Sequence, residues 1–408
     1  MCRLRGAALA AAVVLAWLRP TAAEDRVLTL DQAVGLARTR APALVAARAR
    51  IDEARGRLVG ASVLVVDNPV VEGAAGVRSS ERGALVEADL GLVQTVELGG
   101  RRGARIDAAR AGIDRAQATS RDATRRLLRD VAVAFYRALH AGERMRLAAA
   151  AETVATELSR VAERRRTAGD APTLEVNVAR AAHARARADL RSAEASRAAA
   201  LGELRLLLGL GTAEAFTVTG DLRDRRRFTL DELVARAPRR PDLRALAAEV
   251  READADRRLG EGLAWPNLGI GVRYEREEGE DVGLGALSLT LPIFEHGAGV
   301  RAEADARARR LRLELDAGRR TVGVEVRAAF ESYRLRAAAV EEFEREALAL
   351  LDDNESMARR AYEAGAMGVG ELWALRREVL DMRRDHLDRL LEAAVAGVDL
   401  QAAAGVIE

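Results

Sequence analysis

The chain is poor in the residues around which most enzymes and disulfide-stapled domains are built. Its one cysteine, Cys2, precedes an apolar N-terminal run. A chain cleaved beyond that run would have no disulfide, no thiolate chemistry and no cysteine to carry a lipid. The four histidines, His140, His183, His296 and His386, are scattered. They form no His-Glu-x-x-His motif, and no Cys-x-x-Cys or nucleophile-elbow pattern accompanies them. This excludes the common enzyme classes and gives no reason to expect a cofactor or a bound metal. His386 shares a helical stripe with Met382 and Leu390, the pattern of a packed core histidine. Aromatic residues make up 3% of the chain, too few for a typical all-β core. Beyond the N-terminus no apolar run approaches the ~18 residues of a membrane-spanning helix. An excess of charge is also lacking: 65 basic residues, all arginine, face 63 acids, a net charge of +2. The two signs are interspersed, which leaves no nucleic-acid footprint.

What is present begins with an export signal. Arg3 and Arg5, an apolar run from Ala7 to Leu18 and Pro20-Thr21-Ala22-Ala23 predict a signal peptide over residues 1–23. The remaining 385 residues repeat themselves. Leu30-Asp31-Gln32-Ala33-Val34 is echoed by Leu230-Asp231-Glu232-Leu233-Val234, and Asn68-Pro69 by Trp265-Pro266-Asn267. Phe135 matches Phe330, Ala168-Gly169 matches Ala364-Gly365, and Glu175 matches Glu371. The order is kept throughout, so the chain divides into repeats at 24–222 and 223–408. Each repeat predicts a first helix, about Leu30–Val59 or Leu230–Leu259, that leads through a proline into two strands.

The strands are expected at about 70–78 and 85–98, and at about 268–275 and 284–293. Polar hairpin loops fall at 78–83 and 276–281. In Leu85–Val96, Val86, Ala88, Leu90, Leu92 and Val96 alternate with Glu87, Asp89, Gly91 and Thr95. Leu287 and Leu289 alternate with Ser288 and Thr290. Period two gives each strand a greasy side and a wet side. About ten residues is the length of a tilted strand crossing a bilayer. Carboxylates on the wet side suit a water-filled lumen better than a packed core.

Long helical hairpins follow, at 101–209 with a tip at 168–172 and at 298–404 with a tip at 364–370. From Arg101 to Thr167 there is no proline. Ile106, Ile113, Ser120, Leu127, Ala134, Ala141 and Ala148 recur at heptad spacing, a seam in which alanine lets neighbouring helices approach closely. In the second hairpin the corresponding seam is Val326, Ala329, Tyr333, Val340, Phe343, Ala347, Leu350, Met357 and Ala361. About 65 residues at 1.5 Å each make a rod of roughly 100 Å. Four strands leave two open edges, which hydrocarbon does not tolerate, so copies of the chain must close the wall. Two copies supply eight strands and three supply twelve, and arithmetic does not choose between them.

The duplicated plan, Asn68-Pro69, Gln94-Thr95-Val96-Glu97-Leu98-Gly99-Gly100-Arg101-Arg102 and the two Ala-Gly tips resemble the TolC-like outer-membrane efflux proteins. Glu97-Leu98-Gly99-Gly100-Arg101-Arg102 is most similar to the cobalt–zinc–cadmium branch of that family. The resemblance covers essentially all of the mature chain and rests on the order of motifs. It implies a mainly α chain with a small transmembrane β part: a homotrimer with a twelve-stranded barrel in outer-membrane lipid and a twelve-helix periplasmic tunnel. It implies an adaptor protein and an inner-membrane pump as partners, with passive conduction of cargo. It assigns an acidic aperture to the region of Glu371, although Ala374 stands where a second acid is common. The adaptor-docking tips become Ala168, Gly169 and Asp170 with Ala364, Gly365, Ala366, Met367 and Gly368. The barrel lumen becomes Glu87, Asp89, Thr95, Ser288 and Thr290. Read without the resemblance, Glu371 is an acid favoured by the dipole of a helix start. The competing reading of the whole chain is a periplasmic coiled-coil adaptor or structural spacer, which would need a compact domain of soluble strands.

Overall fold

The computed structural model describes residues 26–80, 83–277 and 280–407. The expected signal peptide lies outside them, as do the centres of both hairpin loops. In chain order the elements are β1 (Arg26–Leu28), α1 (Leu30–Arg40), α2 (Pro42–Ser62), β2 (Val70–Ser80), β3 (Gly83–Val96), α3 (Arg101–Thr167) and α4 (Thr173–Leu208). The second half continues with β4 (Phe216–Val218), α5 (Leu230–Arg236), α6 (Pro241–Gly262), β5 (Asn267–Glu277) and β6 (Glu280–Thr290). It ends with α7 (Ala298–Phe343), α8 (Ala349–Glu363) and α9 (Val369–Ala404). The fold is mainly α, with the helix–strand–strand–long-helix plan stated twice.

Two expectations about the helices are corrected. The first helix of each half is broken, because Pro42 and Pro241 open a new helix and force extended backbone on the residue before. A turn of 3-10 helix, Ala237–Arg239, joins α5 to α6. The second long rod is not continuous either. Glu344–Leu348 form a π turn between α7 and α8. A π turn absorbs one extra residue, so the buried stripe beyond it slips by one position. Leu351 and Ala358 are buried, whereas Leu350 and Met357 of the expected seam are exposed.

The heptad seam of α3 also divides. Leu127, Ala134, Ala141 and Ala148 are buried as expected, and Ala155 and Ala162 extend the line toward the tip. Toward the strands the buried line is Ala104, Ala111 and Ala118, while Ile106, Ile113 and Ser120 are half-buried. At that end α3 packs between α2 and α6, and nearer the tip against α4 and α9. Different neighbours select different faces of one helix.

The four-stranded sheet has the order β2-β3-β5-β6, antiparallel throughout, so β2 and β6 are its edges. β6 ends at Thr290, three residues before the expected end. A two-stranded parallel sheet, β1 with β4, was not expected from the sequence. It sits beside the main core, where Leu28, Leu44, Leu128, Val131, Phe135, Leu204, Leu208 and Phe216 join the two halves of the first repeat. A second core of Leu233, Leu243, Leu315, Val326, Tyr333 and Leu400 serves the other repeat. Among the described residues no helix is long and apolar enough to cross a membrane.

Candidate functional site

The strand register decides which side chains share a face. Asp89 pairs with Ala74 and Glu275, Gly91 with Glu72 and Arg273, and Thr95 with Gly269, which in turn pairs with Ser288. Asn267 pairs with Thr290. Directly paired residues point the same way, so Glu87, Asp89, Thr95, Ser288 and Thr290 lie on one face. Arg78, Glu72, Arg273 and Glu275 lie there too, and sequence reading did not single them out. Their signal was present: they alternate with Val71 and Val77, and with Val272 and Tyr274. Arg273 lies 3.4 Å from Asp89, 3.6 Å from Glu72 and 3.7 Å from Glu275. Arg78 pairs with Glu87 at 2.5 Å and Glu277 at 2.7 Å. The opposite face is aliphatic and open: Val71 and Val86 are each 68% exposed, Val272 63% and Leu287 78%. Among the described residues no helix packs extensively across either face.

Below the sheet, Glu97-Leu98-Gly99-Gly100-Arg101-Arg102 forms the junction with the rods. Gly99 and Gly100 have φ of 76° and 75°, and a Cβ on Gly99 would lie 2.6 Å from the Trp265 ring. That close approach and the left-handed backbone both require glycine. Arg101 is 8% exposed. It donates through Nε to the Gly262 carbonyl at 2.9 Å and through Nη2 to the Trp265 carbonyl at 2.6 Å. Arg102 donates to the Ser62 carbonyl at 3.0 Å. The arginine pair thus takes the last carbonyls of α6 and α2, where both an orphan acceptor and the helix dipole favour a cation. Glu97 holds Arg105 through both carboxylate oxygens, at 2.7 and 2.5 Å.

At the far end both hairpins turn alike. Gly169 (φ 86°) and Gly365 (φ 74°) adopt the left-handed conformation that closes a helix. The Asp170 N–H donates to Arg165 O at 2.8 Å, and the Ala366 N–H to Ala361 O at 2.9 Å. Gly169, Asp170, Gly365, Ala366 and Gly368 are exposed, and Met367 is half-buried. Glu371 is exposed in the first turn of α9, where its Oε2 accepts the Gly368 N–H at 3.1 Å. Within one chain its partner is therefore its own helix start. Arg165 joins the two hairpins: its Nη1 donates to Glu175 at 2.9 Å and to the Tyr362 hydroxyl at 3.2 Å. No sequence pattern announces that contact, because its partners are 197 positions apart.

Higher in the rods, His386 is 4% exposed, stacks on Phe343 and meets Glu344 of the π turn at 3.0 Å. Burial pushes the Glu344 carboxyl up. Hydrogen bonds from Arg225 and His386 outweigh it and leave the group below the usual range. Among the described residues no cluster of histidine, cysteine and acids could hold a metal.

Residues 33–210 match the family model described as outer membrane efflux protein. The cobalt-zinc-cadmium resistance protein CzcC of Cupriavidus metallidurans is 26% identical over 272 residues. That alignment covers 66% of this chain and 64% of the relative, so it spans less than two thirds of the relative's length. CusC, whose structure is described in terms of transmembrane channel formation, shares 18% identity at a TM-score of 0.77, covering 92% of each chain. The Campylobacter jejuni CmeC outer membrane channel gives 16% and 0.76, covering 92% of this chain and 85% of its own. The Neisseria gonorrhoeae MtrE outer membrane channel in its open state gives 19% and 0.73, covering 92% and 89%. Residues 33–210 are thus similar to the outer membrane efflux protein family, and the chain as a whole shares the fold of the CusC, CmeC and MtrE channels.

Proposed function

We propose that this chain is the outer-membrane conduit of a tripartite efflux system, working as a homotrimer with a periplasmic adaptor and an inner-membrane pump. The observation that carries the reading is the sheet: four strands, two unpaired edges, an aliphatic face without cover and a charged opposite face. Such a sheet is stable in lipid only when closed into a barrel with its apolar face outward. Three copies give twelve strands, with Glu87, Asp89, Thr95, Ser288 and Thr290 toward the lumen. Glu371 from three copies would then ring the aperture, with Ala168–Asp170 and Ala364–Gly368 meeting the adaptor. The conduit is passive and no enzyme, as its family and fold relatives imply. The similarity to CzcC makes divalent metal cations the first cargo to test.

The test is fractionation followed by electrical recording. The protein should be extracted from outer membranes as a heat-labile trimer and should conduct ions in planar bilayers. Release by osmotic shock as a soluble monomer would overturn the reading in favour of the periplasmic spacer. For cargo, a deletion strain should lose resistance to cobalt, zinc or cadmium. Unchanged metal resistance alongside new sensitivity to organic compounds would remove metals as the cargo.

A further inference from the structure

The seam between the two hairpins is tied at both ends and open between. Toward the tip, Arg165 bridges to Tyr362. Toward the core, Arg384 reaches Asp189 at 3.2 Å, and Arg144 reaches Asp388 at 3.0 Å. Between these ties lies a groove of about 370 Å³. Its α3–α4 wall carries the methyl groups of Ala148, Ala151, Ala181, Ala182 and Ala186, together with Arg185 and with Asp189, which is held by Arg384. Its α9 wall carries Trp373, Arg376 and Leu380, with Arg377, Asp381 and Arg384 beside them.

The α9 wall holds an anomaly. Among the described residues, Trp373 Nε1 and Arg376 Nε and Nη1 are buried with no hydrogen-bond acceptor. Burial pulls the guanidinium below its ordinary arginine value, with Glu355 opposing and Arg359 adding to the effect. The nearby acids are engaged elsewhere: Glu355 with Arg383 at 3.1 Å, and Asp381 with Arg384 at 3.3 Å. Arg376 as a whole is half-buried, but donors buried without an acceptor cost free energy that a bound anion would recover. Here two donors of a planar fork and an indole N–H stand together beside an apolar wall.

That combination has a chemical complement. A guanidinium fork matches a carboxylate in plane and charge. A wall of methyl groups calls for an aliphatic body. The volume falls at the small end of small-molecule sites.

We propose that this groove binds a small aliphatic carboxylate, with its head group on Arg376 and Trp373 and its tail along the alanine wall. Binding requires the guanidinium to swing off the groove wall, because its Nε and Nη1 are buried in the unliganded chain. The site is independent of what the conduit carries.

The experiment uses the assembled mature protein, exchanged from detergent into amphipol, in a Trp265→Phe background. Trp373 is then the sole tryptophan beyond the signal region. Butyrate, hexanoate and octanoate are titrated against its emission, with octanol as the uncharged control. Saturable responses are expected, with affinity rising about two- to fourfold per methylene. Octanol and the Arg376→Leu variant should each bind at least tenfold more weakly, and Arg376→Lys should fall between. Octanoate should raise the melting temperature of the wild type but not of Arg376→Leu. Without ligand, Arg376→Leu should melt higher than the wild type, because two buried donors without acceptors are gone. Equal binding of octanol, equal binding by Arg376→Leu, or no saturable response at millimolar carboxylate would each overturn the site.

Discussion

At the scale of single residues, the arginine pair at the junction does what its position in the motif does not announce. Arg101 satisfies the buried carbonyl of Gly262 and the part-buried carbonyl of Trp265. Arg101→Ala should therefore destabilise the protein by roughly 2–3 kcal/mol, the scale of charge-assisted bonds with the acceptors left unpaired. The loss would be read as a lower melting temperature of the purified assembly. Arg102→Ala, at the more exposed helix end, should cost less. Glu371 offers a sharper discrimination. If it only holds the start of α9, Glu371→Ala weakens a helix cap and leaves conduction alone. If three copies ring an aperture, the same substitution raises conductance and weakens block by divalent cations in planar bilayers. We expect the second outcome, and unchanged block would remove Glu371 from the gate.

At the scale of elements, the π turn is where local sequence and packing part. Its consequence is a one-residue slip that turns Leu350 and Met357 outward and Leu351 and Ala358 inward. The turn also brings Glu344 to His386 and Arg225. Because the Glu344 carboxyl is lowered in the folded chain, its contribution is present above the unfolded glutamate value, about 4.3. That contribution is lost as pH falls through the lowered folded value. Glu344→Gln should accordingly begin less stable at neutral pH and lose less stability than the wild type between about pH 5 and pH 3. Denaturant midpoints followed by helical circular dichroism across that window provide the check. Parallel wild-type and variant curves would show that the carboxylate contributes nothing at the π turn.

At the scale of the whole molecule, the two faces of the sheet predict opposite responses to one new charge. Leu287 lies on the open aliphatic face, and Ser288 beside it on the charged face. Leu287→Arg should cost about 2–4 kcal/mol if it faces mid-bilayer lipid and should deplete the protein from the outer membrane. Ser288→Arg should leave the heat-labile oligomer intact and shift ion selectivity toward anions. Equal depletion by both substitutions would mean that neither face is a lumen.

Much of this architecture was legible before any coordinate. The alternation in Leu85–Val96 fixes the two faces of a strand because side chains point oppositely at every step. The repeat of Leu30–Val34 at Leu230–Val234 fixes the duplication, and the unbroken run from Arg101 to Thr167 fixes a rod. All of these are local properties of the chain. Tertiary structure alone decided the rest, because it depends on partners distant in sequence. It selected which face of α3 is buried at each end and slipped the seam at the π turn. It paired β1 with β4, set Arg273 among Asp89, Glu72 and Glu275, and left Arg376 Nε and Nη1 without an acceptor among the described residues, in a groove it shares with the alanines of α3 and α4. Periodicity specifies which residues of one element line up. Only packing specifies what they line up against.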